Sequence, residues 1–447
     1  MKVLMLGWEY PPHINGGLGT ACFGLTTALS KIKDINLFFA LPKVYGDEKA
    51  THMTLVEPKV SKKDRVNTKI IRQKFRNHIK KFTFPETLNP YWTSKEYEKF
   101  LEKYKLKTLS SIRESGYKLL RRYIKFDFEN FLKVNKLAFQ VIKYASNVIS
   151  YFQDEDFDVI HAHDWMTILP AVVLSKVTGK PLVVQIHSLE YDRSGVFNDY
   201  FVNQIERIGT ANASLVVAVS KYTKSVIMRE HGVSEDKIRV VYNAVTLSKK
   251  KKYFLSGPLK KYKLVLFLGR ITRQKGPEYF VDAAQRVLKN FKNVKFIMAG
   301  DGDLTSKMIE KTINLGIHDH FIFTGFLKKQ EVSKVFSISD IFVMPSFSEP
   351  FGIVALEAIY HDAALIISKQ SGCSEVIKSA LKCDYWDSKR IADYILYLLK
   401  NNTARKNLIA KSKAELKTLS WDKSAKSLYA IYKEVIEKEN GDKVEGF

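Results

Sequence analysis

KVLMLG, residues 2–7, is a short apolar run that predicts a β-strand at the beginning of the chain. A glycine-rich loop follows it, and LGTACFGLTTALSKI (18–32) then repeats apolar residues at the spacing of a helix. INLFFALP (35–42) predicts a second strand. A strand, a helix and another strand in this order are typical of a parallel sheet, because the helix carries the chain back across the sheet.

Apolar runs with the same rhythm return in two groups further along the chain. The first group predicts strands at 157–164, 181–188, 213–220 and 236–245. The second group predicts strands at 263–270, 294–303, 320–326, 340–346 and 364–372. Helical spacing separates the strands in both groups, so we predict an α/β fold of two tandem, doubly wound, Rossmann-like domains. Ligands of such sheets bind at the carboxyl ends of the strands, and a cleft between the domains is the expected site.

The predicted domain boundaries follow changes in this rhythm. The first domain covers 1–245 and carries a helical insertion at about 43–154, which is rich in lysine, glutamate and aromatic residues. A polar, basic stretch broken by Gly-Pro predicts a linker at 246–262. The second domain covers 263–425, and we expect a last helix, at 426–447, to pack back on the first domain.

Composition limits the classes of function. The 447 residues are 45% hydrophobic, which indicates a globular protein, and no run is apolar enough to span a bilayer. Three cysteines without metal-ligand spacing favour a reduced, cytoplasmic protein. The net charge of +25 either attracts an anionic partner or reflects lysines on solvated faces. No nucleic-acid-binding motif occurs, so we expect no specific nucleic acid, whereas membrane contact through the basic surface stays open.

The loop after the first predicted strand, GWEYPPHINGGLGTACFG (7–24), opens a helix with Gly16, Gly17 and Gly19. Glycines allow a backbone to approach a ligand closely, and the helix N-terminus offers N–H groups to a phosphate. A dinucleotide fingerprint would need a shorter loop and an acidic residue at the end of the second strand, which reads FFALPK instead. A purely structural turn remains the alternative.

HAHDW (161–165) and the histidine of QIHSLEYDRSG stand at the ends of two predicted strands. The indole of Trp165 could stack on a sugar ring while the Asp164 carboxylate accepts hydrogens from sugar hydroxyls. A metal site at His161 and His163 lacks an obvious third ligand. His187 is either a structural histidine or a catalytic one, and its place at a strand end favours catalysis.

GRITRQKG (269–276) places Arg270 and Lys275 together after a predicted strand. Two cations at a strand end suit a diphosphate and would stabilise the charge that builds on a departing phosphate oxygen. A solvated basic loop is the alternative in such a basic chain. GDGD (300–303) predicts a turn after a strand.

EPFGIVALE (349–357) carries two carboxylates eight positions apart, with Pro350 and Gly352 between them. It resembles the E-x7-E signature of retaining glycosyltransferases of the two-Rossmann (GT-B) type, family 4. The glycine loop, HAHDW, His187, GRITRQKG and WDK stand in the order which that family shows, and only the insertion lies outside the resemblance. Within the family, the chain resembles bacterial and archaeal glycogen (starch) synthases.

The resemblance implies a nucleotide-sugar donor in the cleft, an acceptor on the first domain, and no cofactor or metal. Glu349 is implied to contact hydroxyls of the transferred sugar, Glu357 to bind the ribose, and Arg270 with Lys275 to clamp the diphosphate. The residues implied to be catalytic are His187, Arg270, Lys275 and Glu349. The residues implied to bind substrate are Gly16, Gly17, Asp164, Trp165, Phe351, Gly352, Glu357 and Gly372.

The implied reaction moves glucose from ADP-glucose or UDP-glucose to the non-reducing end of an α-1,4-glucan, with retention. A transferase that acts on a lipid or cell-surface glycan at the membrane is the alternative, and a non-catalytic sugar- or nucleic-acid-binding protein is a third. Two positions depart from the pattern: Asn15 replaces a common lysine, and Ser371 replaces a common glycine. Pro350 suits the first position of a helix. The sequence carries no signal for an oligomeric state.

Overall fold

A computed structural model describes residues 1–14, 16–48, 50–58, 114–195, 199–246, 253 and 257–445. Two sheets organise these residues, and every paired strand in them is parallel. The first has seven strands in the order β3-β2-β1-β4-β5-β6-β7, and the second has six in the order β10-β9-β8-β11-β12-β13. Helices connect the strands, so the predicted α/β fold of two doubly wound domains is confirmed.

The strands are short and mostly buried. The first sheet contains β1 (Lys2–Leu6), β2 (Asn36–Ala40), β3 (Thr54–Val56), β4 (Val159–His163), β5 (Leu182–Ile186), β6 (Leu215–Ala218) and β7 (Ile238–Val240). The second sheet contains β8 (Lys263–Leu268), β9 (Val294–Ala299), β10 (Phe321–Gly325), β11 (Ile341–Met344), β12 (Ala364–Ser368) and β13 (Leu381–Cys383).

Helices follow most of the strands. In the first half of the chain they are α1 (Gly17–Leu29), α2 (Glu114–Tyr123), α3 (Phe128–Val134), α4 (Ala138–Phe152), α5 (Trp165–Thr178), α6 (Glu190–Ser194), α7 (Tyr200–Asn212) and α8 (Lys221–His231). In the second half they are α9 (Pro277–Leu288), α10 (Thr305–Asn314), α11 (Lys329–Ile338), α12 (Ile353–Tyr360), α13 (Cys373–Val376), α14 (Ser388–Lys400), α15 (Asn402–Leu416) and α16 (Trp421–Glu445).

Each sheet reverses its strand order at one point, and these points position the site. β1 pairs with β2 on one side and β4 on the other, and β8 lies likewise between β9 and β11. The loops that leave these strands at their carboxyl ends are those after residues 6, 163, 268 and 344. They carry the glycine loop, HAHDW, GRITRQKG and the first glutamate, so the four motifs meet where ligands of such sheets bind.

The last helix returns to the first domain. Trp421, Leu428 and Tyr432 of α16 are buried with the inner face of α1 in one apolar cluster. The contact is close, because a Cβ atom built on Gly24 would lie 2.2 Å from the Trp421 ring. The helix begins at Trp421, where the helical pattern WDKSAKSLYAIYKEVIEK (421–438) also begins, so the boundary drawn at 426 falls inside it.

The predicted insertion contains part of the first sheet. Thr54–Val56 is β3, which pairs with β2, so these residues belong to the sheet and not to a helical insertion. Its three residues are too few to show the alternation of a strand in sequence. Residues 59–113 lie outside the described residues, and the described helix α4 leads into β4. Among the described helices, none has the length and apolarity to cross a membrane.

Candidate active site

A cavity of about 920 Å³ lies between the carboxyl ends of the two sheets. Loops from both domains form its walls, which is the position expected for the ligand of this architecture. The predicted site residues that line it are Gly16, Gly17, Asp164, Trp165, His187, Arg270, Lys275, Glu349, Phe351, Gly352 and Glu357. Gly372 does not line it.

The glycine loop forms the first wall. Gly16 caps α1 and Gly17 is exposed at its first turn, where an added Cβ would meet no atom within 4 Å. The buried Glu9 accepts a 2.9 Å hydrogen bond from the Gly19 N–H through Oε1 and so anchors the loop to the helix. Sequence reasoning missed Glu9, which stands in the quoted loop and lines the cavity. Asn15 lies outside the described residues.

Asp164 connects two strand ends of the first domain. Its Oδ1 accepts the backbone N–H of His187 at 2.6 Å and that of Ser188 at 3.3 Å. It caps α5 with a φ of 61°, a left-handed conformation that non-glycine residues rarely adopt. Burial raises the pKa of this carboxyl to about 6. Asp164 therefore positions the His187 loop, a role that sequence reasoning did not assign to it.

The position of Trp165 does not support the predicted stacking of its indole on a sugar ring. Its side chain lies in the core of the first domain and the residue is only 5% exposed. A sugar ring needs an open aromatic face, and little of this indole reaches the cavity. Trp165 therefore packs behind the residues that face the cavity, and its indole offers no open face on which a sugar could stack.

Three histidines lie next to one another beneath this wall. Nδ1 of His161 lies 2.7 Å from the Tyr432 hydroxyl of α16, while Nδ1 of His163 lies 3.0 Å from Nε2 of His187. Burial lowers the pKa of His187 to about 3, so its ring is neutral at pH 7. A group different from the His161 and His163 pair could hold a metal ion, since a ligand atom of Cys22 lies within 4.8 Å of those of His163 and His187.

The two predicted phosphate-binding cations lie on the second domain. Nζ of Lys275 is 2.7 Å from Oε2 of Glu349, and Nη2 of Arg270 donates to Oε1 of Gln274 at 3.3 Å. Gly276 ends this turn with a φ of 66°, and a Cβ there would lie 2.0 Å from the Pro345 carbonyl oxygen. A glycine is therefore needed for the Lys275 turn to pack against the end of β11.

The first glutamate stands in a firmly held loop. The Glu349 N–H donates to the Gln370 carbonyl and the Gly372 N–H donates to the Glu349 carbonyl, each at 2.9 Å. Its Oε2 also accepts the Ser346 hydroxyl at 3.0 Å. Gly372 packs behind the loop, where an added Cβ would lie 2.2 Å from the Pro350 carbonyl oxygen. Its place beside Glu349 is structural, in contrast to the predicted substrate contact.

The helix between the two glutamates begins later than predicted. α12 starts at Ile353, and Gly352 precedes it with a φ of 95°, so Pro350 is not the first helical residue. Glu349 therefore lies in the loop and Glu357 on the helix, and both line the cavity, which is the arrangement expected from their spacing. Burial raises the pKa of Glu357 to about 7, while the Lys329 charge acts in the opposite direction.

Two further carboxylates join the domains, and the sequence predicted neither of these contacts. Asp192 accepts the Ser348 hydroxyl across the interface at 2.5 Å. Glu375 accepts the backbone N–H groups of Lys221 and Tyr222 at 2.9 and 2.6 Å, which places a negative charge at the start of α8. These partners are more than 150 positions apart, so no local pattern could reveal them.

Comparison with known proteins gives the class of this site. The family model "Glycosyl transferases group 1" matches residues 248–415, and "Glycosyltransferase Family 4" matches residues 113–249. An uncharacterized glycosyltransferase of Methanocaldococcus jannaschii is 27% identical over 98% of this chain and 99% of its own length. The glycogen synthase of Mycobacterium tuberculosis is 24% identical over 84% of this chain and 80% of its own length.

Solved structures agree on the fold. Sucrose-phosphate synthase of Thermosynechococcus elongatus aligns with a TM-score of 0.69 at 16% identity, over 98% of this chain and 99% of its own. The Anabaena protein HepE aligns with a TM-score of 0.61 at 16% identity, over 97% of this chain and 100% of its own. With the two parallel sheets and the cavity between them, these matches identify the chain as a glycosyltransferase with the GT-B fold, similar to family 4.

Proposed function

We propose that the chain transfers glucose from a nucleotide sugar, ADP-glucose or UDP-glucose, to the non-reducing end of an α-1,4-glucan, with retention of configuration. The donor is supported by the relatives: HepE was solved with UDP-glucose, and the glycogen synthase of Mycobacterium tuberculosis matches most of this chain. The glucan acceptor follows from the resemblance of the glycine loop, HAHDW and HSLEYDRSG to glycogen synthases.

One observation carries the proposal: the cavity brings two cations and two carboxylates of the second domain to face the glycine helix and His187 of the first. Arg270 and Lys275 are assigned to the diphosphate. As the resemblance implies, Glu349 in the loop is assigned to the transferred sugar and Glu357 on the helix to the ribose hydroxyls.

The proposed chemistry needs no base from the protein. The acceptor hydroxyl attacks on the face from which the nucleoside diphosphate leaves, and the departing phosphate oxygen takes its proton. Arg270 and Lys275 stabilise the charge on that oxygen. His187 is neutral and half-buried, so it can contact a sugar hydroxyl without placing a positive charge beside the electron-deficient ring.

Nucleotide release tests the proposal directly. ADP-glucose and UDP-glucose are each incubated with the protein, with and without glycogen, and nucleoside diphosphate is followed over time. Glycogen-dependent release from at least one donor, with new α-1,4 linkages in the product, supports the proposal. Release that glycogen does not change, from either donor, would contradict the glucan acceptor.

A surface patch favours a second candidate, a transferase with a lipid or cell-surface acceptor. Exposed basic side chains surround α2 and α3, next to Val134 and Tyr200, which are 66% and 65% exposed. The residues of this basic patch are Lys118, Arg121, Arg122, Lys125, Lys133 and Lys136. Asn135 of the same segment lines the cavity and donates to Asp199 at 2.7 Å. Charge and exposed apolar groups near a substrate entrance suit an anionic membrane.

Co-sedimentation with vesicles separates the two candidates. The membrane candidate predicts salt-sensitive binding to vesicles that contain anionic lipid, weakened in the Lys133→Glu/Lys136→Glu variant. Lys289→Glu/Lys292→Glu, on the exposed surface of the second domain, makes the same change of charge and serves as the control. Equal binding by both variants, or no binding by the parent, would exclude the basic patch as a membrane surface.

A further inference from the structure

A group of buried soft ligands lies directly beneath the cavity. Cys22 projects from α1, His163 ends β4 and His187 follows β5, and their ligand atoms all lie within 4.8 Å of one another. Cys22 and His163 are 1% and 0% exposed, while His187 reaches the cavity. Three elements of the sheet therefore bring together a thiol and two imidazoles that the proposed transfer does not require as a group.

The spacing of these atoms fits a tetrahedral metal ion. Two nitrogens bound to one Zn²⁺ at about 2.0–2.1 Å lie about 3.3 Å apart. Nδ1 of His163 and Nε2 of His187 are 3.0 Å apart, close to that distance before any adjustment. A thiolate and a nitrogen on the same ion lie about 3.5 Å apart, whereas the ligand atoms of the three residues lie within 4.8 Å of one another, so binding would draw the group together.

The charged groups nearest the thiol are carboxylates, since Asp164 and Glu9 both act electrostatically on Cys22. These carboxylates would attract a positive ion to the group.

We propose that Cys22, His163 and His187 form a binding site for a divalent cation of the Zn²⁺ class, and that its occupation inhibits transfer. Two imidazoles and one thiolate are ligands that Zn²⁺ prefers, and three protein ligands leave one coordination position for water. Binding converts the thiol to a thiolate and releases its proton to solvent.

The inhibition would act through His187. A metal ion that takes its Nε2 holds the ring in the orientation that it has beside His163 and brings a positive charge next to the transferred sugar. This second half of the inference rests on the proposed function, whereas metal binding itself does not. The site differs from a catalytic metal site, because chelation is expected to increase activity.

Cobalt provides a direct readout of the thiolate. Metal-free protein is titrated with Co²⁺, and the near-ultraviolet charge-transfer band of a Co²⁺–thiolate bond is recorded, followed by displacement with Zn²⁺ and calorimetry. The Cys22→Ala variant tests the site, and Cys383→Ala, which removes another buried cysteine far from the group, is the matched control. The other described candidate group, His13, Asp47 and Glu48, contains no cysteine and cannot produce this band.

We expect a band at one equivalent of Co²⁺ in the parent and in Cys383→Ala, and its loss in Cys22→Ala, with Zn²⁺ affinity reduced at least tenfold. A parent protein without the band, or a Cys22→Ala variant that retains it, would overturn the site. Nucleotide release is then measured with added Zn²⁺ and with a chelator. Inhibition that Cys22→Ala removes supports the regulatory role, and equal inhibition of both proteins would overturn it. If no transfer is found at all, the spectra still decide the metal site.

Discussion

Nζ of Lys275 and Oε2 of Glu349 are 2.7 Å apart, and their side chains are only 19% and 8% exposed. The two residues are assigned to different parts of the donor, the diphosphate and the transferred sugar, yet they contact each other directly. Each charge thereby compensates the other in a partly buried place. A bound donor has to contact both members of this ion pair, so its phosphate would lie next to the Glu349 carboxylate. The assignment of Lys275 to the diphosphate and that of Glu349 to the sugar therefore depend on each other.

Removing the cation tests this arrangement. Lys275→Ala is expected to lower kcat/KM with the nucleotide sugar at least about 100-fold, because a charge that stabilises the leaving diphosphate is lost. Lys307→Ala is the control, since Lys307 forms a 2.7 Å pair with Glu278 on an exposed surface. Steady-state kinetics measures both variants, and circular dichroism checks that they fold. Folded Lys275→Ala protein with nearly parental kcat/KM would remove the residue from the site.

The carboxyl of Glu357 predicts a pH dependence of stability. Its pKa in the folded protein is about 7, above the ordinary value of 4.5. Between these values the folded state keeps a proton that the unfolded state releases, so this group contributes most stability at low pH and loses it as pH rises toward 7. Glu357→Gln stays neutral, so its Tm is expected to increase relative to the parent between pH 5 and pH 8. A constant difference in Tm across that range would contradict the raised pKa.

The pH dependence of nucleotide binding at Glu357 is expected to be opposite to that of stability. An ionised carboxylate accepts both ribose hydroxyls, so the affinity of the parent for nucleoside diphosphate is expected to rise from pH 6 to pH 8. Glu357→Gln should bind at least tenfold more weakly at pH 8 and lose most of this dependence. Calorimetry at several pH values measures both effects. Equal affinity of the two proteins at pH 8 would separate Glu357 from the ribose.

Two glycines with the same backbone conformation allow the energetic cost of close packing at the Lys275 turn to be separated from the cost of backbone strain. Gly276 and Gly179 have φ values of 66° and 65°, but an added Cβ meets the Pro345 carbonyl at 2.0 Å only at Gly276. Gly179→Ala is expected to cost about 1 kcal/mol of unfolding free energy from backbone strain. Gly276→Ala should cost about 3 kcal/mol because overpacking adds to the strain. Chemical denaturation measures both, and equal losses would contradict the close contact.

Deletion within the insertion tests whether it contributes to the donor site. We expect a chain in which residues 60–112 are replaced by a short Gly-Ser linker to keep its affinity for nucleoside diphosphate, because the cations and carboxylates assigned to the donor lie on the second domain. Residues 54–56 must be kept, since they form β3. A folded deletion protein that no longer binds nucleotide would show that the insertion reaches the site.

The regular parts of the fold could be predicted because local pattern determines them. β1, α1 and β2 follow apolar spacing, and β4 and β5 are buried along their whole length. The prediction failed where a single residue overrides the pattern. Pro350 suits a helix start, but the left-handed backbone at Gly352 delays α12 to Ile353.

The site could be predicted only in part, for a related reason. Strand ends indicated Arg270, His187 and Glu349, because parallel strands bring their carboxyl ends to one edge. The pairing of Lys275 with Glu349 joins residues 74 positions apart, and the proximity of Cys22 to His187 brings a helix next to a strand end. Such contacts depend on how elements pack, which spacing along the chain does not record.

The return of α16 to the first domain has a mechanical consequence. α15 packs in the second domain and α16 against α1, so the polypeptide crosses between the two lobes twice, after β7 and again between Leu416 and Trp421. Rotation about the line that joins the two crossings leaves the distance across each crossing unchanged, whereas a twist or a slide would change at least one of these distances. Closure of the cleft over its substrates is therefore expected to be a hinge rotation of one domain relative to the other about the single axis that passes through both crossings.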